Sequence, residues 1–327
     1  MNESSVKMNK STSVGRRIQD FVFSYGFYLL FVIVVIFFAV KSPTFLSMTN
    51  IRQIVSSMSY VLVAACGATI VVITGNMDLS IGSIGIFAAS VMTYADAANM
   101  PFGVMVLLTI LIGMGLGLVN GILVAHFKMN SMLTTFGTQL LFRGLALIIS
   151  TDGYYRFSNG FKDTVKSVNF LGFKMGVWLA LIVMVILIVV LMKTKYGTHC
   201  YAVGCNEKAA KAVGINVKKT VIASFMVCGV CAAISGFIYC MNVAQFDYAI
   251  GDGAEFNAIA AAVIGGTSLL GGRGKVFPGT FFGVLLLYVI NNGLTVIDAS
   301  PFLYNMIRGL IIFLAMYFDA LKYYKKK

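Results

Sequence analysis

Charged residues are scarce in this chain. Asp, Glu, Lys and Arg make up 11% of its 327 residues, whereas they make up about 25% of a typical soluble domain. Apolar residues reach 59%. This composition excludes an ordinary soluble protein and predicts a chain that lies in a lipid bilayer.

Apolar runs of the roughly 20 residues needed to cross a bilayer recur along the chain. Six runs are clear: 21–40, 104–125, 177–192, 221–241, 276–297 and 302–318. Four others are interrupted by Gly, Ser, Thr or Asn: 54–73, 81–98, 132–150 and 255–270. We therefore expect an all-α polytopic membrane protein with about ten transmembrane helices, and eight as the lower count.

The N-terminal segment lacks the features of a cleaved signal peptide. Residues 1–20 are polar, and the apolar run that follows them is too long for a signal sequence and has no small-residue cleavage site. We expect a cytoplasmic tail at 1–20, a transmembrane domain at 21–320 and a basic cytoplasmic tail at 321–327.

The net charge of +13 indicates orientation rather than a nucleic-acid partner. Cytoplasmic loops of membrane proteins collect Lys and Arg. With the N-terminus inside, the ten-helix arrangement puts seventeen of the 25 basic residues on the inner side and six on the outer side. Both termini are then cytoplasmic, and the partner of the hydrophobic surface is membrane lipid.

Nucleotide and metal sites are also missing from the sequence. Gly274-Lys275-Val276 does not fit a phosphate loop, because the Lys needs a following Ser or Thr and because Leu269 stands where a Gly is required. Cys228 and Cys231 have a metal-pair spacing, but they lie in an apolar helix, which favours packing. We expect no catalytic residue, metal or bound cofactor, and energy from ATP would need a separate subunit.

Glycines and a short repeat pattern the membrane helices. Gly113, Gly117 and Gly121 form a small-residue face, which suits either a seam within the chain or a dimer seam. The segment 119–123 (Val-Asn-Gly-Ile-Leu) resembles 290–294 (Ile-Asn-Asn-Gly-Leu), and an Arg-Gly-Leu follows each. Because the two lie five helices apart, they suggest an inverted internal repeat, as many transporters have.

Two glycine-rich breaks, 75–83 and 265–275, interrupt the apolar runs. In the first, Gly75 can end one helix in the left-handed conformation, and Asp78 or Ser80 can cap the next. The break is either a helix–helix turn at the cytoplasmic surface or irregular backbone that lines a polar pathway.

The polar segment 193–219 contains six lysines and a short helical motif. Asn206 can cap this helix, Glu207 lies at its positive end, and Gly214 can terminate it. Two turns are too short to be stable alone in water. We expect this helix to dock into a partner's groove, with a solvated surface turn as the alternative.

Four segments together resemble the permease subunit of ribose-type bacterial ABC importers: 75–83, 203–215, 258–274 and 291–294. The resemblance extends from about residue 45. It departs where the family usually has Gly-Gly-Ile-Asp and this chain has Gly75-Asn76-Met77-Asp78, and where Cys205 replaces a common Gly.

The resemblance implies import of a monosaccharide, such as a pentose, a hexose or a related small polyol, across the bacterial plasma membrane. It implies a permease homodimer or heterodimer, two ABC ATPase subunits that use ATP, and an extracytoplasmic sugar-binding protein. The residues that match its ATPase-coupling element are Asn206, Glu207, Ala209, Ala210 and Gly214.

A sugar pathway needs side chains that bind hydroxyl groups. The intramembrane candidates are Asn120, Thr134, Thr135, Gln139, Asn257, Asn291 and Asn292. Each of them can instead bond one helix to another. Arg143 is unfavourable in lipid and needs a partner or a water-filled cavity, and Arg308 can extend to the outer interface.

The alternative function is an ion-coupled secondary transporter of a small polar solute. That mechanism usually needs ionisable residues deep in the membrane. The ten-helix arrangement puts five acidic residues toward the outer side, namely Asp96, Asp247, Asp252, Glu255 and Asp298, and puts Asp78 near an inner break. This distribution disfavours the alternative.

Overall fold

The computed structural model describes residues 29–150, 153–249 and 251–300, and the single positions 302, 303, 306, 307, 309, 310, 313 and 317. The predicted tails 1–20 and 321–327, Arg308 and most of the 302–318 run lie outside the described residues.

Helices make up most of the described chain. They are α1 Leu29–Lys41, α2 Met48–Ile73, α3 Ile81–Ala97, α4 Phe102–Ala125, α5 Ser131–Ile149, α6 Asn159–Ser167, α7 Met175–Lys193, α8 Lys195–Cys205, α9 Glu207–Ala212, α10 Val217–Val243, α11 Ala254–Ile264 and α12 Phe281–Val296, the last preceded by a π-helical turn, Val276–Thr280. The strands are β1 Tyr154–Arg156, β2 Asn169–Phe170, β3 Phe173–Lys174 and β4 Gln245–Asp247.

Six of the described helical stretches are long and apolar enough to cross a membrane: α2, α4, α5, α7, α10 and the run Val276–Val296. The helices α1, α3 and α11 are apolar but shorter. A polytopic helical membrane protein is therefore confirmed. In the run 255–270 the predicted extent is wrong, because α11 ends at Ile264 and the glycine-rich residues after it form turns.

The central helix α10 packs against α2, α3 and α4, and the small-residue face of α4 lies against it. A Cβ at Gly113 would come within 2.8 Å of the Ala233 Cβ, and one at Gly117 within 2.9 Å of the Met226 Cα. The sequence left open whether these glycines pack against a helix of the same chain or against a second copy of the chain. In the structure they pack against α10 of the same chain. Gly permits this because it leaves room for two backbones to approach.

One end of the molecule carries elements that the sequence analysis missed. The strands β1 and β4 pair antiparallel, as do β2 and β3. The helix α6 is amphipathic and buries Phe161 and Val165. Strands of two or three residues are too short to produce a period-two pattern.

The polar segment 193–219 contains two helices, not one. Besides the predicted α9, residues 195–205 form α8, which Thr194 caps by accepting a hydrogen bond from the Gly197 N–H at 3.3 Å. Gly197 and Gly204 weaken the helical propensity of α8. Its contacts with the rest of the chain, described below, compensate for that weakness.

Candidate functional site

The break after α2 starts at an exposed residue, Gly75, and continues into the bundle, where Asp78, Leu79 and Ser80 are buried, so it is more than a turn at the surface. Gly75 ends α2 with a φ of +79°, as expected. The Met77 N–H then donates to Ser131 Oγ at 3.1 Å, and the Leu79 N–H donates to Thr135 Oγ1 at 2.9 Å. Ser131 and Thr135 are about 6 Å apart along α5, so residues 74–80 extend into the helix bundle before α3 begins.

A polar network surrounds the segment 74–80. Asp78 Oδ1 accepts from the Ser80 N–H at 2.9 Å and from Ser80 Oγ at 2.6 Å. Asn120 Nδ2 on α4 donates to Ser80 Oγ at 2.7 Å. All three side chains are buried, and Asn120 Oδ1 has no hydrogen-bond partner within the described part of the chain. Asp78 Oδ2 likewise has no hydrogen-bond partner there. The network therefore ties α4 to the segment 74–80 and keeps two acceptors free.

A second irregular segment leads into α11 and meets the start of α3. Its described residues are 248, 249 and 251–253, and the name segment 248–253 refers to these five residues. Glu255 is 2% exposed, and its Oε1 accepts from Gln139 Nε2 at 3.0 Å. A Cβ at Gly82 would lie 2.6 Å from both Glu255 Oε2 and the Gly251 carbonyl oxygen. The first turns of α3 and α11 are thus neighbours inside the bundle. Glu255, one of the five acidic residues that the sequence analysis placed toward the outer side, is buried and contacts α5.

One stripe of α5 binds both irregular segments. Its members recur every four residues: Ser131, Thr135, Gln139 and Arg143. Because an α-helix rises about 1.5 Å per residue, Gln139 lies about 12 Å and Arg143 about 18 Å from Ser131 along the axis.

Arg143 has the partner that the sequence analysis required for it. Its Nη1 forms an ion pair with Asp252 Oδ1, and its Nη2 donates to the Tyr248 carbonyl oxygen at 3.3 Å. The guanidinium carbon lies 5.1 Å from the centroid of the Tyr248 ring.

The structure brings three of the seven pathway candidates together, namely Asn120, Thr135 and Gln139. Thr134 donates to the Asn130 carbonyl oxygen in the first turn of α5. Asn292 exchanges two hydrogen bonds with Asn50, at 2.8 and 2.9 Å, and so joins α12 to α2. Asn257 and Asn291 are half-buried on α11 and α12.

The sequence analysis did not select Ser80 or Glu255 for this site. Ser80 had a local signal, because an Asp two residues before a Ser can accept from that residue's backbone N–H. Glu255 had none, because its partner Gln139 lies 116 positions earlier in the chain.

The short helix α9 has the predicted caps. Asn206 Oδ1 accepts from the Ala209 N–H at 3.0 Å, and Gly214 has a φ of +83° with open space where a Cβ would point. Glu207 Oε1 accepts from Lys211 Nζ at 2.7 Å. Both side chains are more than half exposed, so this pair contributes little stability.

The two alanines of α9 face different surroundings. Ala210 is 3% exposed and packs against this chain, whereas Ala209 is exposed. Val213, which the sequence analysis did not select, follows α9 and is 76% exposed. The outward surface of α9 therefore combines Ala209 and Val213 with charged residues.

The helix α8 connects α9 to the end of α2. A Cβ at Gly204 would overlap the Ile73 carbonyl oxygen and lie 2.5 Å from the Gly272 amide nitrogen. The Gly272 N–H donates to that same carbonyl oxygen at 2.8 Å, and Tyr201 Oη donates to the Gly274 carbonyl oxygen at 2.8 Å. Since Ile73 directly precedes the segment 74–80, α8 packs where the polar network begins.

Comparison with known proteins identifies the family. The family described as branched-chain amino acid transport system / permease component matches residues 50–316. The chain belongs to this family. It is therefore a permease component and not an enzyme. It is a multi-pass protein of the bacterial inner membrane. Membership of this family disagrees with the alternative function of an ion-coupled secondary transporter.

Several relatives match most of the permease. It is 34% identical over 279 residues to an autoinducer 2 import system permease protein of Photorhabdus laumondii, and the aligned region covers 84% of this chain and 83% of the relative. It is 31% identical to the galactose/methyl galactoside import permease protein of Salmonella typhimurium (92% and 95% covered). It is 32% identical to the ribose import permease protein of Bacillus subtilis (91% and 92% covered). No solved structure matches the permease.

Near the C-terminal end of α3, Asp96 binds the β1 strand and the residues that follow it. Its carboxylate accepts from Tyr155 Oη at 2.9 Å and from the N–H and the hydroxyl of Ser158, both at 2.7 Å. Burial, together with this hydrogen bond to a carboxylate, raises the pKa of Tyr155 to about 12. The phenol stays protonated at neutral pH and keeps donating to Asp96.

Proposed function

We propose that this permease is the transmembrane subunit of an ATP-driven importer for a monosaccharide, such as a ribose-like pentose, a hexose or a related small polyol. The names of its relatives support this substrate class, because they include ribose import and galactose/methyl galactoside import permease proteins. The chemistry of the site agrees with it, since hydroxyl, amide and carboxyl groups suit a solute whose hydroxyls both donate and accept hydrogen bonds.

The observation that carries the proposal is the meeting of α3 and α11 inside the bundle. Each helix is short, follows a long helix (α2 or α10) and is separated from it by an irregular segment. Transporters commonly place substrate sites where such discontinuous helices meet. Asn120 Oδ1 and Glu255 Oε2, which are buried there without hydrogen-bond partners in the described chain, are the acceptors we assign to solute hydroxyls once the bundle opens.

The matching arrangement of α2–α3 and α10–α11 also supports an inverted internal repeat. Under this proposal the complete permease has about ten transmembrane helices and both termini in the cytoplasm. The segments 74–80 and 248–253 then enter the bundle from opposite sides of the membrane.

The proposed partners are two ABC ATPase subunits, an extracytoplasmic sugar-binding protein and a second permease, identical or homologous. The ATPase would dock on α9, with Glu207, Ala209 and Val213 at the contact and with Asn206 and Gly214 shaping the helix ends. Ala210 would hold α9 against the permease. ATP stays with the partner subunits, and the contact of Gly204 with Ile73 would transmit movement of α9 to the segment 74–80.

Uptake of labelled solutes tests this function. Source cells that lack the permease should lose uptake of one monosaccharide in a panel containing ribose and galactose, and a plasmid copy should restore it. Vanadate, which inhibits ABC ATPases, should block this uptake in vesicles, whereas dissipating the ion gradients should not. Loss of leucine uptake with unchanged monosaccharide uptake would overturn the substrate class, and dependence on an ion gradient would overturn the energy source.

A further inference from the structure

The stripe on α5 fastens the inner and outer irregular segments at separate places. Ser131 and Thr135 accept from the backbone of the inner segment 74–80. Arg143 binds the outer segment 248–253 about 18 Å farther along the helix. A conformational change can therefore release one segment from α5 while the other stays bound.

Gly251 of the outer segment packs against Gly82 of α3, and within the described residues the polar contacts of α5 with this segment come from Arg143. The Arg143 guanidinium reaches the Asp252 carboxylate, the Tyr248 carbonyl oxygen and the face of the Tyr248 ring. A planar guanidinium can make all three contacts together, whereas a Lys ammonium has neither the fork nor the flat face. Removing Arg143 would remove this whole set of contacts between α5 and the outer segment.

The exposure of Asp252 indicates which surroundings the outer attachment faces. The side chain of Asp252 is 71% exposed, whereas that of Arg143 is 16% exposed. They lie about two thirds of the way along α5, where an exposed carboxylate facing lipid would be very unfavourable. Asp252 therefore faces water or another protein surface, as expected at the outer mouth of a polar pathway.

The outer segment has the backbone freedom that a moving part needs. Gly251 and Gly253 flank Asp252 and both have positive φ values, +81° and +72°. Glycine adopts this conformation without the strain of other residues and changes φ easily. Directly below this segment lie Gln139 and Glu255, which form the hydrogen bond between α5 and α11.

We propose that Arg143 is the positioning residue of an outer gate. It holds the segment 248–253 against α5 and so closes the route from the outer side to Gln139 and Glu255. Release of Asp252 and Tyr248 from Arg143 opens that route while Ser131 and Thr135 keep the inner segment in place. This proposal rests on the proposed transport function, because it assigns the segment a role in admitting the solute.

Thiol labelling in intact cells tests the gate without any solute. The reporter is Gln139→Cys, in a background carrying Cys205→Ser because Cys205 is the exposed cysteine among the six. An impermeant methanethiosulfonate reagent is added from outside. Adding Arg143→Ala should raise the labelling rate about tenfold, since loss of the attachment shifts the gate toward its open state. Arg143→Lys should give an intermediate rate.

A second variant separates gating from folding. Asp252→Asn changes an exposed side chain, so it should leave the amount of protein in the membrane unchanged and still accelerate labelling. The charge-exchanged pair Arg143→Asp with Asp252→Arg should restore slow labelling in part. The matched control is Arg156→Ala, which removes another outer-side arginine whose Nε donates to Tyr154 Oη at 2.9 Å, and it should leave the rate unchanged.

The outcomes for the gate and for the transport function are distinguishable. Labelling rates in Arg143→Ala and Asp252→Asn that equal the rate of the reporter parent would refute the gate, even if the cells import a monosaccharide normally. Faster labelling in cells that import leucine instead would support the gate and overturn only the substrate class.

Discussion

Gly204 of α8 lies directly against the carbonyl oxygen of Ile73, the last residue of α2. A side chain at position 204 would overlap this oxygen, which already accepts from the Gly272 N–H at 2.8 Å. The contact joins the polar segment 193–219, the end of α2 and the glycine-rich loop 265–275 at one place. It is the contact through which, in the proposed function, movement of α9 would reach the segment 74–80.

Gly204→Ala should destabilise the permease by about 1–3 kcal/mol, the usual effect of overpacking a well-filled interior. The measurement is the free energy of unfolding, from SDS titration in mixed micelles. Gly115→Ala on α4 is the matched control, because a Cβ there meets nothing within 4 Å and Ala favours a helix over Gly by about 1 kcal/mol. Equal stabilities of the two variants would argue against the close contact at Gly204.

Asp78→Ala should lower uptake and destabilise the permease by about 1–3 kcal/mol, because the buried Ser80 N–H loses its acceptor. Asp78→Asn is the matched control: its amide oxygen can still accept from Ser80, so most of the uptake should remain. Combining Asp78→Ala with Asn120→Ala should cost less than the sum of the single effects, since both act through Ser80. Strict additivity in the unfolding measurements would contradict a shared network.

Gly214→Arg should leave membrane insertion intact and abolish uptake. The substitution strains a residue with a φ of +83° and puts a bulky cation beside the proposed ATPase contact. Uptake and ATPase stimulation by the binding protein are measured together. Gly214→Asn is the control, because Asn tolerates positive φ better than other side chains, and it should keep most of both activities. Normal transport by the Arg variant would remove α9 from the coupling role.

Cys205 should react with an impermeant maleimide only from the cytoplasmic face. It is exposed at the end of α8, whereas Cys66, Cys200, Cys228, Cys231 and Cys240 are buried. Intact cells should therefore show no labelling and inside-out vesicles should show it, with Cys205→Ser as the unlabelled control. Labelling of intact cells would reverse the proposed orientation of the permease.

Much of the secondary structure could be predicted from short stretches of sequence. The apolar runs located the described membrane helices, because a segment in lipid has to satisfy its own backbone hydrogen bonds and so forms a helix. The caps of α9 at Asn206 and Gly214 followed from residues three to eight positions apart. The sequence analysis missed the helix at 195–205, because its two glycines lower the helical propensity of this stretch. Contacts with distant loops stabilise that helix in the structure.

The sequence by itself determined that this chain lies in a membrane, where its helices run and which short helix projects from its polar segment. Only the tertiary structure decided that residues 74–80 enter the bundle, that Asn120 reaches Ser80 and that Gln139 reaches Glu255. Those pairs lie 40 and 116 positions apart. Hydropathy and capping are local properties, whereas the contacts of the site depend on which faces of α3, α4, α5 and α11 meet when the helices pack.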